Sequence, residues 1–293
     1  MNMDNQYHKL NTKDLLKMNQ LIDKTLVIKY GGSIMDNAAA QDAFSEDLLL
    51  LNSMGIKIVI VHGGGPEISK WLKKAGLESK FLNGLRVTDE ATIEIVEMVL
   101  SGKVNKKLSS NLSRKGLTTI GISGTDSNLI AVKKKFLEED GHKVDIGYVG
   151  EITHINKAVL LSLLESNIIP VISPIGSDEQ GNSYNINADS AAAFISAALD
   201  AEMLLIMTDI DGVYLDIKDP STLLESITID EIKKYTEEGI ITGGMLPKLD
   251  CCINALNSGT KSVHLIDGRN EHSLLSTLLN YKGTKIIVER EEK

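Results

Sequence analysis

The feature that most constrains the fold is a pair of glycine clusters, each closing an apolar run: Leu26-Val27-Ile28-Lys29-Tyr30-Gly31-Gly32-Ser33 and Ile58-Val59-Ile60-Val61-His62-Gly63-Gly64-Gly65-Pro66. A short β-branched run predicts a buried strand. Glycines directly after it let the backbone turn with bare N–H groups aimed at an anion. Pro66 suits the first position of a helix, whose positive dipole end faces the same anion. Both clusters therefore read as phosphate cradles, and two strand–glycine–helix units predict parallel strands with right-handed crossovers.

The alternation continues along the chain. Strands are predicted over 26–30 and 56–61, with helices over 38–54 and 66–75. A short amphipathic helix over 12–23, behind the cap Asn11, precedes them as an appendage. A long helix over 89–115 follows the cap Thr88, and 117–122 returns as a strand. Runs 129–133 and 144–153, separated by a charged loop with Gly141, read as a hairpin that leaves the parallel sheet and could cover a site. A strand over 168–173, a polar loop over 176–187 and an Ala-rich helix over 188–199 follow. In the last third, 203–207, 262–266 and 285–288 read as strands, and 229–235, 247–256 and 271–279 as helices.

Composition narrows the class of protein. With 293 residues, 42% of them hydrophobic and 24% charged, the chain reads as globular rather than disordered. A net charge of −9 argues against nucleic-acid binding, which needs a basic surface. No apolar run approaches a membrane span, and the polar segment 1–11 lacks a signal-peptide core. Cys251 and Cys252 are adjacent in a helical stretch, which suits neither a disulfide nor a zinc site. The expected location is the cytoplasm, or the plastid stroma for an organelle-encoded chain.

Four residues stand out. Lys29 is an ammonium near the end of a buried strand, directly before Gly31-Gly32, and reads as an anion-binding group rather than a solvated surface lysine. His62 holds the same place before its own loop; with no partner nucleophile or carboxylate nearby in sequence, it reads as a hydrogen-bonding brace rather than a general base. Neither cluster completes a P-loop or a G-x-G-x-x-G fingerprint. Positive charge must therefore come from elsewhere, and Thr242-Gly243-Gly244-Met245-Leu246-Pro247-Lys248 supplies it. Pro247 marks a helix start, which puts Lys248 near the positive dipole end, where a bound anion would compensate it. Asp189, opening the Ala-rich helix, is the carboxylate that could hold two converging lysines in place, where the plain alternative is a helix cap.

These segments, with Asn83-Gly84-Leu85-Arg86-Val87-Thr88-Asp89, Ser101-Gly102-Lys103-Val104-Asn105-Lys106, Gly147-Tyr148-Val149-Gly150-Glu151 and Asn185-Ile186-Asn187-Ala188-Asp189, resemble the N-acetylglutamate kinases of the amino-acid kinase superfamily. The resemblance runs in order from about residue 26 to 279. It implies an α/β fold, a three-layer αβα sandwich around a mainly parallel central sheet. It further implies a helical extension (1–24), an N-terminal lobe for the acyl-amino acid and dimerisation (25–184), and a C-terminal lobe for ATP (185–293).

The implied reaction is attack by the side-chain carboxylate of N-acetyl-L-glutamate on the γ-phosphate of ATP. By resemblance, Lys29 and Lys248 stabilise the transition state and Asp189 orients them. Gly64, Gly65, Arg86 and Asn185 would hold the substrate. Gly31, Gly32, Thr208, Asp209, Gly212, Thr242 and Gly243 would hold phosphates and nucleotide, with Mg2+ carried mainly by the phosphates and no protein ligand to it named.

Rivals within the superfamily are an aspartokinase, a glutamate 5-kinase and a kinase of an aminoadipate derivative in lysine synthesis; segment 83–89 favours N-acetylglutamate over the last. A non-catalytic amino-acid sensor on the same scaffold would have lost a lysine, and none is missing. The N-terminal helix and Ser258 to Arg269 resemble arginine-inhibited members in which such helices interlace homodimers into a hexamer. Those members carry an acidic-Gly-x-Gly-Thr stretch near the end, where this chain has Tyr281-Lys282-Gly283-Thr284.

Overall fold

The computed structural model describes residues 12–35, 37–139, 141–280 and 283–288. In chain order the strands are β1 (Thr25–Tyr30), β2 (Lys57–His62), β3 (Phe81–Leu82), β4 (Leu85–Arg86), β5 (Thr119–Ser123), β6 (Ile130–Glu139) and β7 (His142–Ile155). They continue with β8 (Ile169–Ser173), β9 (Ile175–Ser177), β10 (Ser183–Asn185), β11 (Met203–Thr208), β12 (Ser226–Thr228), β13 (Val263–Asp267) and β14 (Thr284–Ile287). The helices are α1 (Thr12–Asn19), α2 (Gly32–Met35), α3 (Ala38–Ser53), α4 (Gly65–Lys74), α5 (Glu90–Glu97) and α6 (Asn105–Arg114). After them come α7 (Lys157–Glu165), α8 (Ala188–Ala198), α9 (Ile229–Glu237), α10 (Met245–Asn257) and α11 (Ser273–Asn280).

Eight strands form the central sheet in the order β12-β14-β13-β11-β1-β2-β8-β5. Every neighbouring pair is parallel except β13 with β14. Strands from 25–184 occupy one half and strands from 185–293 the other. The halves meet where β1 pairs with β11, Lys29 opposite Ile206. The chain runs from β1 to β2 on one side of this seam and from β11 to β12 and β13 on the other, so the strand ends there open a crevice, the usual ligand position in such sheets.

Alternation along the strands explains the three layers. Leu26, Ile28, Ile58, Ile60, Leu205 and Met207 face one way and pack with Phe44, Leu48 and Leu51 of α3. Val27, Val59, Val61, Leu204 and Ile206 face the other way and pack with Ala191, Ala192, Ala193 and Ile195 of α8. Side chains of period two thus bury both faces of each strand, and the alanines of α8 bring its backbone close to the sheet.

Several expectations need correction. The loop expected over 176–187 contains the end of β9 and all of β10, joined through a turn at Gly181, whose φ is 85°. With β6 and β7 these close a four-stranded barrel, so the expected hairpin is part of a larger unit. Three-residue strands with polar ends, such as Ser183-Tyr184-Asn185, carry no period to read. The helix of 89–115 is interrupted by a π-helical segment, Met98–Val104. The N-terminal helix stops at Asn19, because the next residues turn and Asp23 takes a left-handed φ of 62° into β1. Helix α10 starts at Met245, with Pro247 third, a position whose N–H lacks a helical partner anyway. The cap of α8 is Asn187, which accepts from the N–H of Asp189 and Ser190 at 2.9 and 3.0 Å; Asp189 is therefore not the cap. The expected cap Asn11 and Tyr281-Lys282 of the divergent tail lie outside the described residues. No helix among the described residues is long and apolar enough to cross a membrane.

A buried carboxyl ties the two halves together behind the crevice. Asp47 of α3 accepts from His272 Nδ1 at 2.7 Å and from the N–H of Leu275, in the first turn of α11, at 3.2 Å. Burial pushes its pKa from the usual 3.8 up to about 6, against the opposing pull of the His272 hydrogen bond. The folded protein then binds this proton more tightly than the unfolded chain, so the contribution of Asp47 to stability falls as pH rises from about 4 to 6. The shift corresponds to about 3 kcal/mol. Asp47→Asn keeps an acceptor for Leu275 and should lack that fall; urea unfolding of both proteins at pH 4 and pH 7 measures it, and parallel curves would contradict it.

Candidate active site

The crevice is built where β1 and β2 end. Lys29 is buried near the end of β1 because its neighbours are core residues on both faces. Gly31 follows with no room for a side chain: a Cβ there would stand 2.4 Å from the carbonyl oxygen of Met207 on β11. The second cluster ends β2 and opens α4, whose N-cap, Gly64, offers no side-chain cap. The two loops lie side by side, close enough that a Cβ added to Gly32 would stand 3.6 Å from Pro66 Cδ.

Asp189 bridges the two lysines. Lys29 Nζ pairs with its Oδ1 at 3.0 Å, and Lys248 Nζ donates to its Oδ2 at 2.9 Å. The three side chains come from β1, α8 and α10, so residues 160 and 59 positions apart converge on one carboxylate. Burial pushes the pKa of Asp189 up, but the two ammonium groups outweigh it and hold the group below the usual 3.8. It is ionised at neutral pH, so the three groups together carry a charge of +1, and Lys248 is the most exposed of them.

Two clefts adjoin here, the first lined by both lysines and the second by Gly65 and Ala188, the chain neighbours of Pro66 and Asp189. One, of about 330 Å³, is lined by Lys29, Gly31, Gly32, Thr208, Asp209 and Lys248, together with Pro66 and Met207. The other, of about 170 Å³, is lined by the glycines 63–65, Arg86 and Asn185, with Val149 of β7 and Asn187 among its walls. The barrel thus supplies part of the wall of the second cleft, through Val149 and Asn185. Arg86 is buried, and burial lowers its pKa from the ordinary guanidinium value. It donates to Gly65 O at 3.1 Å, to Ser69 Oγ at 3.0 Å and to Ser79 Oγ, and its guanidinium stands 4.7 Å over the Phe81 ring. All these partners are neutral, so a carboxylate from a ligand would supply the missing counter-charge. Asn185 donates to Thr88 Oγ1 at 3.4 Å, and Val149 and Asn185 stand opposite each other in the barrel.

Not every expected residue gathers here. Gly212 lies outside both linings and packs on β14, where a Cβ would meet Thr284 Oγ1 at 2.2 Å; that hydroxyl also accepts from the N–H of Val213 at 2.8 Å. Its glycine is explained by close packing. Thr242 and Gly243 are exposed and line neither cleft. Conversely, Met207, Val149 and Asn187 line the clefts without having been named as site residues, and Pro66, read as a helix start, lines the phosphate cleft. Of the first three only Asn187 gave a signal, as a cap residue before an Ala-rich run.

The amino acid kinase family model matches residues 24–267. The acetylglutamate kinase of Clostridium acetobutylicum is 55% identical over 272 residues, covering 93% of this chain and 92% of that one. The acetylglutamate kinase of Methanococcus maripaludis is 47% identical over 273 residues, covering 92% and 93%. The solved structure of N-acetylglutamate synthase from Neisseria gonorrhoeae complexed with coenzyme A and N-acetyl-glutamate superposes with a TM-score of 0.82 at 25% identity, covering 95% of this chain and 63% of that one. The chain belongs to the amino acid kinase family and, within it, groups with the acetylglutamate kinases.

Proposed function

We infer that the chain catalyses ATP-dependent phosphorylation of the side-chain carboxylate of N-acetyl-L-glutamate, giving N-acetyl-L-glutamyl 5-phosphate and ADP, a step of arginine biosynthesis. The observation that carries the reading is the Lys29–Asp189–Lys248 bridge between two adjoining clefts. A carboxylate nucleophile is already ionised at pH 7, so no general base is needed. The protein's task is to bring two anions together and to neutralise the charge that develops on the transferred group. Lys29 and Lys248 supply that charge, and Asp189 fixes where they stand. N–H groups at Gly32, Gly64 and Gly65 add donors at the loop mouths.

The larger cleft takes the ATP phosphates and the smaller one the acyl-amino acid, whose α-carboxylate pairs with Arg86 in fork geometry. Magnesium would come in on the phosphate oxygens and shield their charge; Asp189 is engaged by both lysines and is not offered as a ligand. Arg86→Lys should raise KM for N-acetylglutamate at least tenfold and leave KM for ATP within twofold, because a point charge replaces a bidentate fork. Coupled ADP release with each substrate varied in turn measures both; an equal rise for ATP would remove Arg86 from the acyl site.

Two free cysteines, one buried and one half-buried, suit the cytoplasm. The hexamer reading is supported by α1, which lies on α11 with Lys17 donating to Leu279 O and Met18 buried, while Leu15 and Leu16 stay 48% and 60% exposed. Those two leucines would meet a second copy, and arginine would act through the same region. Leu15→Glu with Leu16→Glu should convert hexamer to dimer in light scattering and relieve inhibition by millimolar arginine. A dimeric mass or full activity with arginine for the unaltered protein would contradict this.

A further inference from the structure

The glycine loop that opens α4 is held from behind by a chain of buried polar groups. His62 ends β2 and is fully buried, with Nδ1 2.7 Å from Gly63 O and Nε2 3.1 Å from Asn105 Nδ2. Asn105, also fully buried, is the first residue after the π-helical segment. Its Nδ2 lies 2.8 Å from Val171 O and 3.2 Å from Ile122 O. Two carbonyl oxygens around that atom require a donor, which fixes the orientation of the amide. The two N–H bonds of this amide are shared among the three acceptors around it, and because its nitrogen cannot accept, Nε2 faces it as an acceptor and the ring's proton sits on Nδ1, from which it donates to Gly63 O. Burial lowers the ring's pKa to about 4, so at pH 7 it is neutral and holds this one tautomer.

The consequence lies on the other side of the peptide. No cis bond occurs among the described residues, so the C=O of Gly63 and the N–H of Gly64 point in opposite directions. Tying the carbonyl to His62 behind the loop turns the Gly64 N–H to the front, where Gly64 lines the acyl cleft. Among the described residues no hydrogen bond uses that N–H. Leu100 of the π-helical segment closes the loop from the side, 2.5 Å from where a Cβ on Gly64 would stand. The extra residue in a π turn shifts the following helix relative to an unbroken α-helix, and here it delivers Asn105 to His62.

We propose that His62 and Asn105 are positioning residues for the transfer: they lock the Gly63–Gly64 peptide so that the Gly64 N–H points at the reacting oxygens. The proposal rests on the acyl cleft being the substrate site, as inferred above.

The test begins with protein labelled with 15N-histidine, the His62 signal being assigned by its absence in His62→Leu. A long-range 1H–15N correlation should show the Nδ1–H tautomer, unchanged from pH 6 to 8; an Nε2–H tautomer or a titrating ring would overturn the proposal. In kinetics, His62→Leu should lower kcat about a hundredfold, the scale of one misdirected donor, with KM for ATP within twofold. His62→Asn, whose amide takes the place of Nδ1 and donates to Gly63 O, should regain at least tenfold. Equal losses in both variants, or kcat within threefold of wild type in His62→Leu, would overturn it. Asn105→Ser serves should His62→Leu fail to fold: it frees Nε2, and the expected result is mixed tautomers with kcat at least tenfold down, unchanged kcat being the contrary result. Wild-type ADP release, measured alongside, separates the two levels. Release unaffected by these variants refutes the positioning alone, and absence of release from the wild type refutes the function as well.

Discussion

Replacing Lys248 with alanine is expected to lower kcat about a thousandfold while the protein stays folded. The magnitude follows from Coulomb's law: a charge pair at about 4 Å and an effective dielectric of 20 is worth about 4 kcal/mol. At 1.36 kcal/mol per decade this is close to three decades of rate. The ammonium of Lys248 is less buried than that of Lys29 and stands at the mouth of the phosphate cleft. Its loss therefore removes charge from the transferred group and leaves the core intact. Asp189 keeps Lys29 as a partner at 3.0 Å, so no uncompensated buried carboxylate results. Steady-state kinetics with a thermal melt on the same sample checks this; a fall smaller than tenfold would mean Lys248 does not act on the transition state.

Asp189→Asn should behave differently, because it removes the anion and leaves both cations. Two ammonium groups that had shared one carboxylate then repel in a half-buried site, a loss of about 3 kcal/mol by comparison with other broken buried pairs. For a chain of this size the free protein's melting midpoint should drop by roughly 6–10 °C. ATP phosphates offer the missing negative charge, so saturating ATP should raise the midpoint of the variant more than that of the wild type. The pH dependence has a definite sign. A carboxyl whose folded pKa lies below 3.8 contributes stability above that pH and loses it as pH falls through the folded value. The gap between variant and wild type should therefore hold from pH 7 down to about 4 and close only below it. Equal shifts with ATP, or a gap closing between pH 5 and 7, would show that Asp189 is not the lysines' counter-ion.

Much of the architecture was legible because it rests on local patterns. Runs such as Ile58-Val59-Ile60-Val61 can only be buried on both faces, and glycines directly after them mark the crevice end of the sheet. Lys29 was legible for the same reason, since an ammonium inside a buried run must have an anion to meet. Lys248 showed itself by a charge placed against a helix dipole. What stayed hidden depends on contacts between distant segments. The link from Asn105 to His62 spans 43 residues and needs the π-helical segment, which has no sequence period of its own. β10 is too short to show alternation. Gly212 shows the opposite case: its segment suggested nucleotide contact, while the structure gives its glycine a packing reason of its own, since Thr284 takes the space a side chain would need. Arg86 gained weight from the structure, because a buried guanidinium among neutral partners calls for an anionic ligand in a way that one letter in a sequence does not.

The central claim is that this site transfers the γ-phosphoryl group of ATP to the side-chain carboxylate of N-acetyl-L-glutamate. Trapping the acyl phosphate with hydroxylamine tests it most directly, with N-acetylglutamate, glutamate, aspartate and aminoadipate offered separately under identical conditions. Hydroxamate should form with N-acetylglutamate in step with ADP, and at no more than about one hundredth of that rate with the others, which lack the acetyl-amide or the right chain length. Hydroxamate forming equally well from glutamate or aspartate, or ADP release without any hydroxamate, would contradict the account.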